Sequence, residues 1–552
     1  MITQPTERIF SMEPSEPHLM LPNDEHNQQL LENVHPSNWV NPEPTSRYNI
    51  VVIGAGTAGL ITAVVAAGLG AKVALIEKHL MGGDCLNVGC VPSKGIIRAA
   101  RAWADLRNAE EFGLHIPPGV KYDFGAVMAR MRKLRARISH NDSVHRYTKL
   151  GVDVYIGSGR FTGADTIQVE GPSGHRILTF AKAAVCTGAR ASVPPTPGLK
   201  EAGYLTNETV FSLTELPPRI GVIGAGPIGC ELAQSFARFG SQVSLIETAH
   251  GILPNEDRDA AEIVEQQMLR DGVKLFCCGK DLNVQKTEAG KRLTVESHGQ
   301  QYDVTVDQIL VGVGRTPNVE GIGLETVGIE YDKNGIKVNA RLQTTNPKIF
   351  AAGDICSRYK FTHAADAMAQ IVIQNALFPH LFGIGYASVE SLVMPWCTFT
   401  EPEVAHVGMY EKEAQEKGIE VETYTYKLDE VDRAILDGED EGFARIHIQK
   451  GTDKIVGATI VAAHAGDMIG EFSVAMKAGM GRNNRRAHNL VRTLLNVDSR
   501  KAHVLAVEDR AIDFIEFVGV GFDLDTLLLC LLLVHPDMRH FRLREGTPGH
   551  DQ

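Results

Sequence analysis

Short runs of β-branched and aliphatic residues alternate with glycine-rich turns and alanine-rich segments in the first half of the chain. Residues 48–53 form one such run, and residues 72–76 form the next after a glycine-rich turn and an alanine-rich stretch. This order predicts a βαβ unit, with both strands buried in a parallel sheet and a helix between them. The turn contains Gly54, Gly56 and Gly59.

The same pattern occurs again, with apolar runs at residues 220–223 and 242–246. The strands end at Glu77 and Glu247, each 23 positions after the first glycine of its turn (77 − 54 and 247 − 224). Such glycines allow a tight turn and a close approach of a pyrophosphate, while the acidic residue binds ribose hydroxyls. Two matching copies therefore predict two dinucleotide sites. The second turn contains Gly224, Gly226 and Gly229.

A Cys-x4-Cys pair, Cys85 and Cys90, follows directly after the first unit. A zinc site would bring two further ligands at a characteristic spacing, and none follow, so the sequence predicts no metal site. A disulfide that closes so short a loop adds little stability. The pair therefore predicts a redox-active dithiol beside a flavin, with two buried structural thiols as the alternative.

This position of the dithiol indicates that the first unit holds the flavin and the second unit holds the nicotinamide nucleotide. Glu247 should repel a 2′-phosphate, and no arginine follows it closely. The sequence therefore favours NADH over NADPH.

Length and composition narrow the class of protein. A chain of 552 residues with 43% hydrophobic and 22% charged residues is a globular protein of three or four domains. A net charge of −12 offers no attraction for nucleic acid or an anionic membrane, and nine cysteines favour a reducing, cytoplasmic compartment. Residues 1–47 are polar and proline-dotted, which predicts a flexible extension. The apolar run at residues 527–534 is too short to span a membrane.

Three further stretches, residues 313–318, 344–354 and 394–408, occur in a familiar order. Together with the motifs above, they resemble the class I pyridine nucleotide-disulphide oxidoreductases, the family of dihydrolipoamide dehydrogenase, glutathione reductase and mercuric reductase. The resemblance runs from Tyr48 to Gly481. It implies an α/β fold with two Rossmann-like domains and a C-terminal α+β dimerisation domain, and hence a homodimer. The implied domains are FAD-binding at 48–195 and 320–388, NAD(P)-binding at 196–319 and interface at 389–481, before a divergent tail at 482–552.

The resemblance also implies roles for individual residues. Cys90 would lie against the flavin and Cys85 would face the substrate, with hydride passing from the nicotinamide through FAD to the pair. Lys94 would lie beside the flavin and be held by Glu231, although a solvated lysine and a surface glutamate remain the alternative. Asp354 would contact the flavin, unless it is only a helix cap or turn residue. Thr187, Gly188 and Gly314 mark the implied crossings between the flavin and nicotinamide segments.

The chain departs from the family in its last part. Disulphide-reducing members carry a catalytic histidine in a His-Pro motif near the C-terminus, and the residues after Gly481 do not match that motif. A reading-frame shift near Gly481 and a divergent tail of different function are two interpretations. The vicinal pair Cys277 and Cys278 follows an apolar run, which predicts packing within a strand.

The sequence thus predicts an FAD-dependent NAD(P)H oxidoreductase of the mercuric reductase-like branch, acting on Hg²⁺, a disulfide or another small molecule. Val91 and the run at residues 399–402 favour this branch, whereas Glu247 favours dihydrolipoyl dehydrogenase. A third hypothesis is a flavoprotein diaphorase or interaction protein without disulfide turnover.

Overall fold

The computed structural model describes residues 20–172, 174–380, 383–452 and 454–479. Over these residues the chain has the predicted α/β fold, with parallel sheets first and an antiparallel sheet after them. Within the same residues, no helix is long and apolar enough to cross a membrane. The predicted tail at 482–552, with its apolar run, lies outside the described residues.

The first part of the chain, up to residue 191, contains the elements of the first predicted βαβ unit and a hairpin that extends it. The helices are α1 (Glu25–Val34), α2 (Thr57–Gly68), α3 (Gly83–Asn87), α4 (Cys90–Arg107), α5 (Phe124–Ser139) and α6 (Val144–Lys149). The strands are β1 (Tyr48–Ile53), β2 (Val73–Glu77), β3 (Val152–Ile156), β4 (Ser158–Gly163), β5 (Thr166–Gly171), β6 (Gly174–Val185) and β7 (Ala189–Ala191).

Strand β1 lies inside a sheet of order β3-β2-β1-β6-β5-β4 and pairs in parallel with β2 and β6. Val52 aligns with Leu75 on one side and with Ala184 on the other. Both faces of β1 are buried, which explains its nearly continuous apolar sequence. Helix α2 begins just after β1 ends, so its N-terminus lies at the carboxyl edge of the sheet.

Helix α1 contradicts the prediction that residues 1–47 form a flexible extension, at least from residue 20 onward. Leu30 and Val34 are fully buried in the core of the first unit. The Asp24 side chain accepts a hydrogen bond from Asn27 N at 2.9 Å and pairs with Arg132 of α5 at 2.5 Å. Leu30 and Val34 are one helical turn apart and Asp24 is an N-cap, a pattern that predicts this helix. The prolines and polar residues around it obscured the pattern in the sequence.

The second βαβ unit repeats the first and carries an antiparallel sheet of its own. Its strands form a parallel sheet of order β10-β9-β8-β14 and an antiparallel sheet of order β11-β12-β13. The helices are α7 (Leu199–Ala202), α8 (Pro227–Arg238) and α9 (Arg258–Arg270). The strands are β8 (Arg219–Ile223), β9 (Gln242–Ile246), β10 (Lys274–Phe276), β11 (Lys280–Thr287), β12 (Gly290–Ser297), β13 (Gln300–Val306) and β14 (Gln308–Val311).

After the second unit the chain returns to the first sheet. The elements of this return are β15 (Arg315–Pro317), β16 (Tyr331–Asp332), β17 (Gly335–Ile336), β18 (Ile349–Ala351) and α10 (Thr362–Leu377). Strand β15 pairs with β7, and β18 pairs in parallel with β6, where Phe350 aligns with Ala184. Helix α10 packs on α2. The first unit is therefore discontinuous in sequence, because it takes a strand and a helix from beyond the second unit.

The C-terminal elements form an antiparallel sheet of order β19-β20-β23-β22-β21 with helices packed on it. The strands are β19 (Pro395–Thr398), β20 (Glu403–Gly408), β21 (Val421–Lys427), β22 (Phe443–Gln449) and β23 (Ile455–Ala462). The helices are α11 (Glu411–Glu416), α12 (Asp432–Asp437) and α13 (Ala465–Lys477).

Candidate active site

The cysteine pair lies on two consecutive helices. Cys85 lies in α3, and Cys90 is the first residue of α4, directly after the N-cap Gly89. Both are free thiols, Cys85 half-buried and Cys90 exposed. The Cys90 Sγ lies 3.4 Å from the Thr362 Oγ1 at the start of α10. The pair therefore lies where the two segments of the discontinuous unit meet.

The two thiols have opposite acidities. A hydrogen bond from Cys85 is the largest influence that lowers the pKa of Cys90 to about 6, and the Thr362 hydroxyl and the Lys94 charge act in the same direction. The same hydrogen bond and burial raise the pKa of Cys85. The N-terminal position of Cys90 on an 18-residue helix also favours a thiolate there. At neutral pH the reduced pair is thus a thiolate at Cys90 and a thiol at Cys85.

Lys94, one turn after Cys90 on α4, contacts a glutamate from the second unit. Its Nζ lies 3.4 Å from the Glu231 Oε2 and 4.2 Å from the centroid of the Phe399 ring. Glu231 is buried, and its other oxygen accepts a hydrogen bond from Phe399 N at 3.0 Å. The sequence therefore identified the Lys94–Glu231 contact correctly, and the alternative of two unrelated surface charges is wrong. Phe399 joins the C-terminal sheet to this pair.

An arginine that the sequence did not single out connects helix α3, which carries Cys85, to Asp354 in the stretch at residues 344–354. Arg315 forms ion pairs with Asp84, the neighbour of Cys85, and with Asp354 at 3.2 Å. It also donates to the carbonyl oxygen of Ala189. Burial raises the pKa of Asp354, and the nearby Arg315 opposes that effect. The sequence marks this stretch only as a crossing, because a single arginine at the start of a short strand has no distinctive spacing. Asp354 thus has a specific partner, which disfavours its being only a helix cap.

The first glycine turn is closely packed. Gly54 has a φ of +102°, and a Cβ there would lie 2.3 Å from the Cys186 carbonyl oxygen. A Cβ at Gly59 would lie 1.8 Å from the Gly54 carbonyl oxygen. Glu77, at the end of β2, is buried and accepts hydrogen bonds from Ala55 N and His79 N, both at 2.7 Å. Its carboxylate therefore supports the turn, and burial raises its pKa.

The second turn has the same arrangement around Glu247. One carboxylate oxygen accepts from Ala225 N at 2.7 Å, and the other accepts from Thr248 N and Ala249 N at 2.7 and 2.9 Å. Gly226 is the N-cap of α8, and a Cβ on it would meet nothing within 4 Å. The start of this helix therefore faces open space.

The other predicted crossing residues form one joint between the two units. The Thr187 Oγ1 donates to the Asn318 carbonyl oxygen at 2.9 Å, and the Asn318 side chain donates back to Thr187 O at the same distance. Gly188 and Gly314 flank this joint in sequence, with φ values of +66° and +120°. They lie where the chain leaves and re-enters the first unit.

Residues 48–369 match the family described as pyridine nucleotide-disulphide oxidoreductase, and residues 394–491 match the dimerisation domain of that family. The chain belongs to the pyridine nucleotide-disulphide oxidoreductase family. The second match extends ten residues past Gly481 (491 − 481), so the similarity continues beyond the end that the sequence motifs indicated.

Relatives with two activities are similar to this oxidoreductase. A mercuric reductase from Staphylococcus aureus is 33% identical over 434 residues, which cover 78% of each chain. A dihydrolipoyl dehydrogenase from Bacillus subtilis (strain 168) is 32% identical over 441 residues, 78% of this chain and 92% of the relative. Among solved structures, the flavoprotein disulfide reductase RclA from Escherichia coli, as its Cu(II) complex, has a TM-score of 0.69 and 27% identity over 82% of this chain and 99% of its own.

The protein is therefore an FAD-containing oxidoreductase that uses a nicotinamide nucleotide. The two glycine turns fit these cofactors. Helices α2 and α8 both begin at a glycine N-cap without a side-chain cap, so their first N–H groups remain available to a pyrophosphate. Each turn donates a backbone hydrogen bond to an acidic residue at the end of the following strand, Glu77 in the first unit and Glu247 in the second.

Proposed function

We propose that this oxidoreductase is mercuric reductase-like and that Cys85 and Cys90 are its redox-active pair. NAD(P)H supplies two electrons, which reduce the Cys85–Cys90 disulfide, and the reduced pair then acts on Hg²⁺ or a disulfide substrate. The opposite acidities of Cys85 in α3 and Cys90 at the start of α4 carry this proposal. A structural pair would have no reason for one stabilised thiolate in an exposed position.

The chain's residues can hold the charges and protons of this cycle. Two electrons and one proton convert the disulfide into a thiolate on Cys90 and a thiol on Cys85. Lys94 and the N-terminus of α4 stabilise that thiolate, while Glu231 keeps Lys94 in place. When bound, FAD would serve as the two-electron carrier between the nicotinamide and the cysteine pair.

We assign the residues that would hold the cofactors from the same geometry. Glu77 and Glu247 support the two turns from the ends of their strands. Asp354 and its partner Arg315 lie beside helix α3, which carries Cys85, and there they would orient the flavin. The glycine turns and the joint around Thr187, Gly188 and Gly314 complete this set.

The raised pKa of Cys85 favours a metal-ion substrate. Attack of Cys85 on a substrate disulfide needs a base to take its proton, and the stretch where the family carries that histidine reads differently here. Hg²⁺ needs no such base, because a bound soft cation itself lowers the pKa of a coordinating thiol and releases its proton. Two sulfur–mercury bonds then form as the single proton of Cys85 leaves for solvent. Transfer of two electrons from the two sulfurs to the mercury releases Hg⁰ and restores the Cys85–Cys90 disulfide.

A dihydrolipoyl dehydrogenase activity is the second candidate. The Glu247 carboxylate lies just after the end of β9, where it would repel a 2′-phosphate and favour NAD⁺. NAD-linked oxidation of a dithiol would then run through the same cysteine pair in the opposite direction. A flavoprotein without disulfide turnover is the remaining class.

We further propose that the protein works as a homodimer in a reducing, cytoplasmic compartment. The dimerisation-domain match at residues 394–491 supports the dimer, and eight free thiols in the described part of the chain suit a reducing environment. The negative net charge gives no basis for a nucleic-acid or anionic-membrane partner.

A substrate panel with the purified holoenzyme tests the proposal. NADH and NADPH are offered in turn with Hg²⁺, lipoamide and glutathione disulfide under anaerobic conditions. We expect nucleotide oxidation with Hg²⁺ at a rate that exceeds the rates with either disulfide. Lipoamide-dependent turnover with NADH as the faster coenzyme would instead support the second candidate.

The variant Cys85→Ser separates enzyme turnover from simple flavin chemistry. We expect it to lose turnover with Hg²⁺ and disulfides while flavin content and reduction of artificial acceptors stay unchanged. If the wild-type protein reduces only artificial acceptors, or if Cys85→Ser turns over as fast as wild type, the disulfide-reductase proposal is wrong.

A further inference from the structure

Four side chains of metal-ligating types meet in the second unit, in segments separate from those that carry Cys85 and Cys90. They are His250, Cys277, Cys278 and His298, and one ligand atom from each lies within 4.8 Å of all the others. The Cys277 Sγ is 3.2 Å from the His298 Nε2, and the Cys278 Sγ is 3.5 Å from the His250 Nδ1. The two histidine rings meet edge to face, with centroids 6.2 Å apart.

These residues come from three separate segments. His250 follows β9, the cysteines follow β10, and His298 lies in the turn between β12 and β13. The prediction that Cys277 and Cys278 pack within a strand is wrong, because β10 ends at Phe276 and both thiols are partly exposed. The absence of a metal spacing in the sequence misled the prediction, since the histidines lie 21 and 28 residues from their cysteine neighbours.

The backbone turns both sulfurs to the same side. Adjacent side chains of a strand point to opposite faces, so two neighbouring cysteines cannot normally bind one ion. Cys278 instead has a φ of +53°, in the left-handed region, and its N–H donates to Ala249 O at 2.9 Å. His298 has a φ of +51°. Two of the four residues thus adopt a conformation that costs a non-glycine residue energy, and such outliers concentrate at functional sites.

The spacing fits a tetrahedral ion. Bonds of about 2.3 Å to sulfur and about 2.0 Å to nitrogen place the ligand atoms of a tetrahedral zinc site about 3.3–3.8 Å apart. The two sulfur–nitrogen distances of 3.2 and 3.5 Å lie close to the value of about 3.5 Å expected between a sulfur and a nitrogen ligand of such a site. The 4.8 Å limit on every pair leaves movements of about 1.5 Å at most. Partial exposure of the group leaves a path by which an ion can enter.

We propose that His250, Cys277, Cys278 and His298 form a Cys₂His₂ site for a tetrahedral, thiophilic divalent cation of the Zn²⁺ type. Two thiolates and two imidazoles match this ion class in softness and in geometry. Each ligating thiol gives up its proton on binding, and each imidazole binds in its neutral form. No electron is transferred at the site.

A bound ion would link the two sheets of the second unit. His250 and the cysteines follow strands of the parallel sheet, whereas His298 belongs to the antiparallel sheet. The Ser297 Oγ already donates to Cys277 O at 2.6 Å, so the turn and the cysteine segment are aligned without an ion. Because an ion that binds only the folded state stabilises it, the melting temperature should rise with metal concentration.

Cobalt(II) serves as the probe because tetrahedral Co²⁺ with thiolate ligands absorbs strongly in the red, beyond flavin absorption. The holoenzyme carries Cys85→Ser and Cys90→Ser, so that the active-site pair cannot bind the probe, and it is reduced and freed of metal beforehand. We expect one Co²⁺ per chain, an intense tetrahedral spectrum, stoichiometric displacement by Zn²⁺ and a higher melting temperature with either ion.

Further substitutions decide the assignment. Cys278→Ser and His298→Asn in this background should lose the tetrahedral bands and the metal-dependent rise in melting temperature. His115→Asn, at an exposed histidine outside the cluster, is the matched control and should keep both. The melting temperature of each metal-free variant, compared with the metal-free parent, identifies any variant that fails to fold. Weak octahedral bands, or unchanged bands in both Cys278→Ser and His298→Asn, would overturn the proposal.

Discussion

The acidity of Cys90 gives the sharpest prediction about the active site. We perturb it with Lys94→Gln, which removes the nearest cation on α4, and with Cys85→Ala, which removes the hydrogen bond that has the largest effect. The Lys94 charge lowers the Cys90 pKa, so Lys94→Gln should raise that pKa, by up to about 1 unit. Cys85→Ala should raise it further. Lys133→Gln, an exposed lysine on α5, is the control.

The magnitude follows from two opposing effects. With a pKa of about 6 instead of 9.0, Cys90 is about 90% ionised at pH 7 rather than about 1%. The thiolate of a more acidic thiol is also a weaker nucleophile, and over a pKa difference of three units this lowers its intrinsic reactivity about 20-fold. The net increase in alkylation rate is therefore only about fourfold at pH 7 but about 30-fold at pH 5.5. The pH profile is thus more informative than any single rate.

The assay is the rate of iodoacetamide labelling of Cys90 in the reduced holoenzyme between pH 4.5 and 9.5, read by mass spectrometry of the Cys90 peptide. We expect a midpoint near pH 6 in the wild type and in Lys133→Gln, with higher midpoints in Lys94→Gln and Cys85→Ala. Flavin content is measured in parallel for each variant. A wild-type midpoint near 9, or midpoints that stay the same in both active-site variants, would refute the electrostatic reasoning.

Three further predictions concern the turns and a partly buried carboxyl. Gly59→Ala should prevent FAD retention, because its Cβ would lie 1.8 Å from a backbone oxygen, whereas Gly68→Ala on the same helix meets nothing within 4 Å and should retain FAD, as flavin absorbance will report. NADH should have a lower KM than NADPH, and Glu247→Ser should reduce that difference in steady-state assays; an unchanged difference would contradict a role of Glu247 in coenzyme choice. Burial raises the pKa of Asp142 in the folded protein to about 6, so folding favours the protonated carboxyl. The stability that the protonated form contributes is therefore lost as pH rises from about 4 to about 6. Asp142→Asn should therefore stabilise the protein by about 1–2 kcal/mol at pH 7 and by little at pH 4, as thermal unfolding at the two pH values will show; equal shifts would contradict the burial argument.

The glycine turns were predictable because one physical requirement produces both their sequence and their structure. The close approaches at Gly54 and Gly59 exclude side chains, so the turn shows directly in the sequence. Strand periodicity placed β1 at residues 48–53 and β9 at residues 242–246, and the structure has both at these bounds. The contact between Lys94 and Glu231 was reached through the family resemblance, because no local pattern joins residues 137 positions apart.

Other features depend on contacts that no single stretch of sequence displays. Arg315 acquires its importance only when folding brings Asp84 and Asp354 to either side of it. Thr362 likewise approaches Cys90 across 272 residues. The cluster of His250, Cys277, Cys278 and His298 depends on backbone conformations that the residue types do not indicate. Helix α1 had a readable pattern, but composition outweighed periodicity in the prediction.

Differential thiol labelling before and after addition of NAD(P)H tests the central claim most directly. The oxidised holoenzyme is alkylated under denaturing conditions, either untreated or after anaerobic addition of a small excess of NADH or NADPH. The account predicts that Cys85 and Cys90 resist labelling in the untreated protein and both become labelled after the nucleotide. If the nucleotide bleaches the flavin but leaves Cys85 and Cys90 unlabelled, the pair does not carry the electrons.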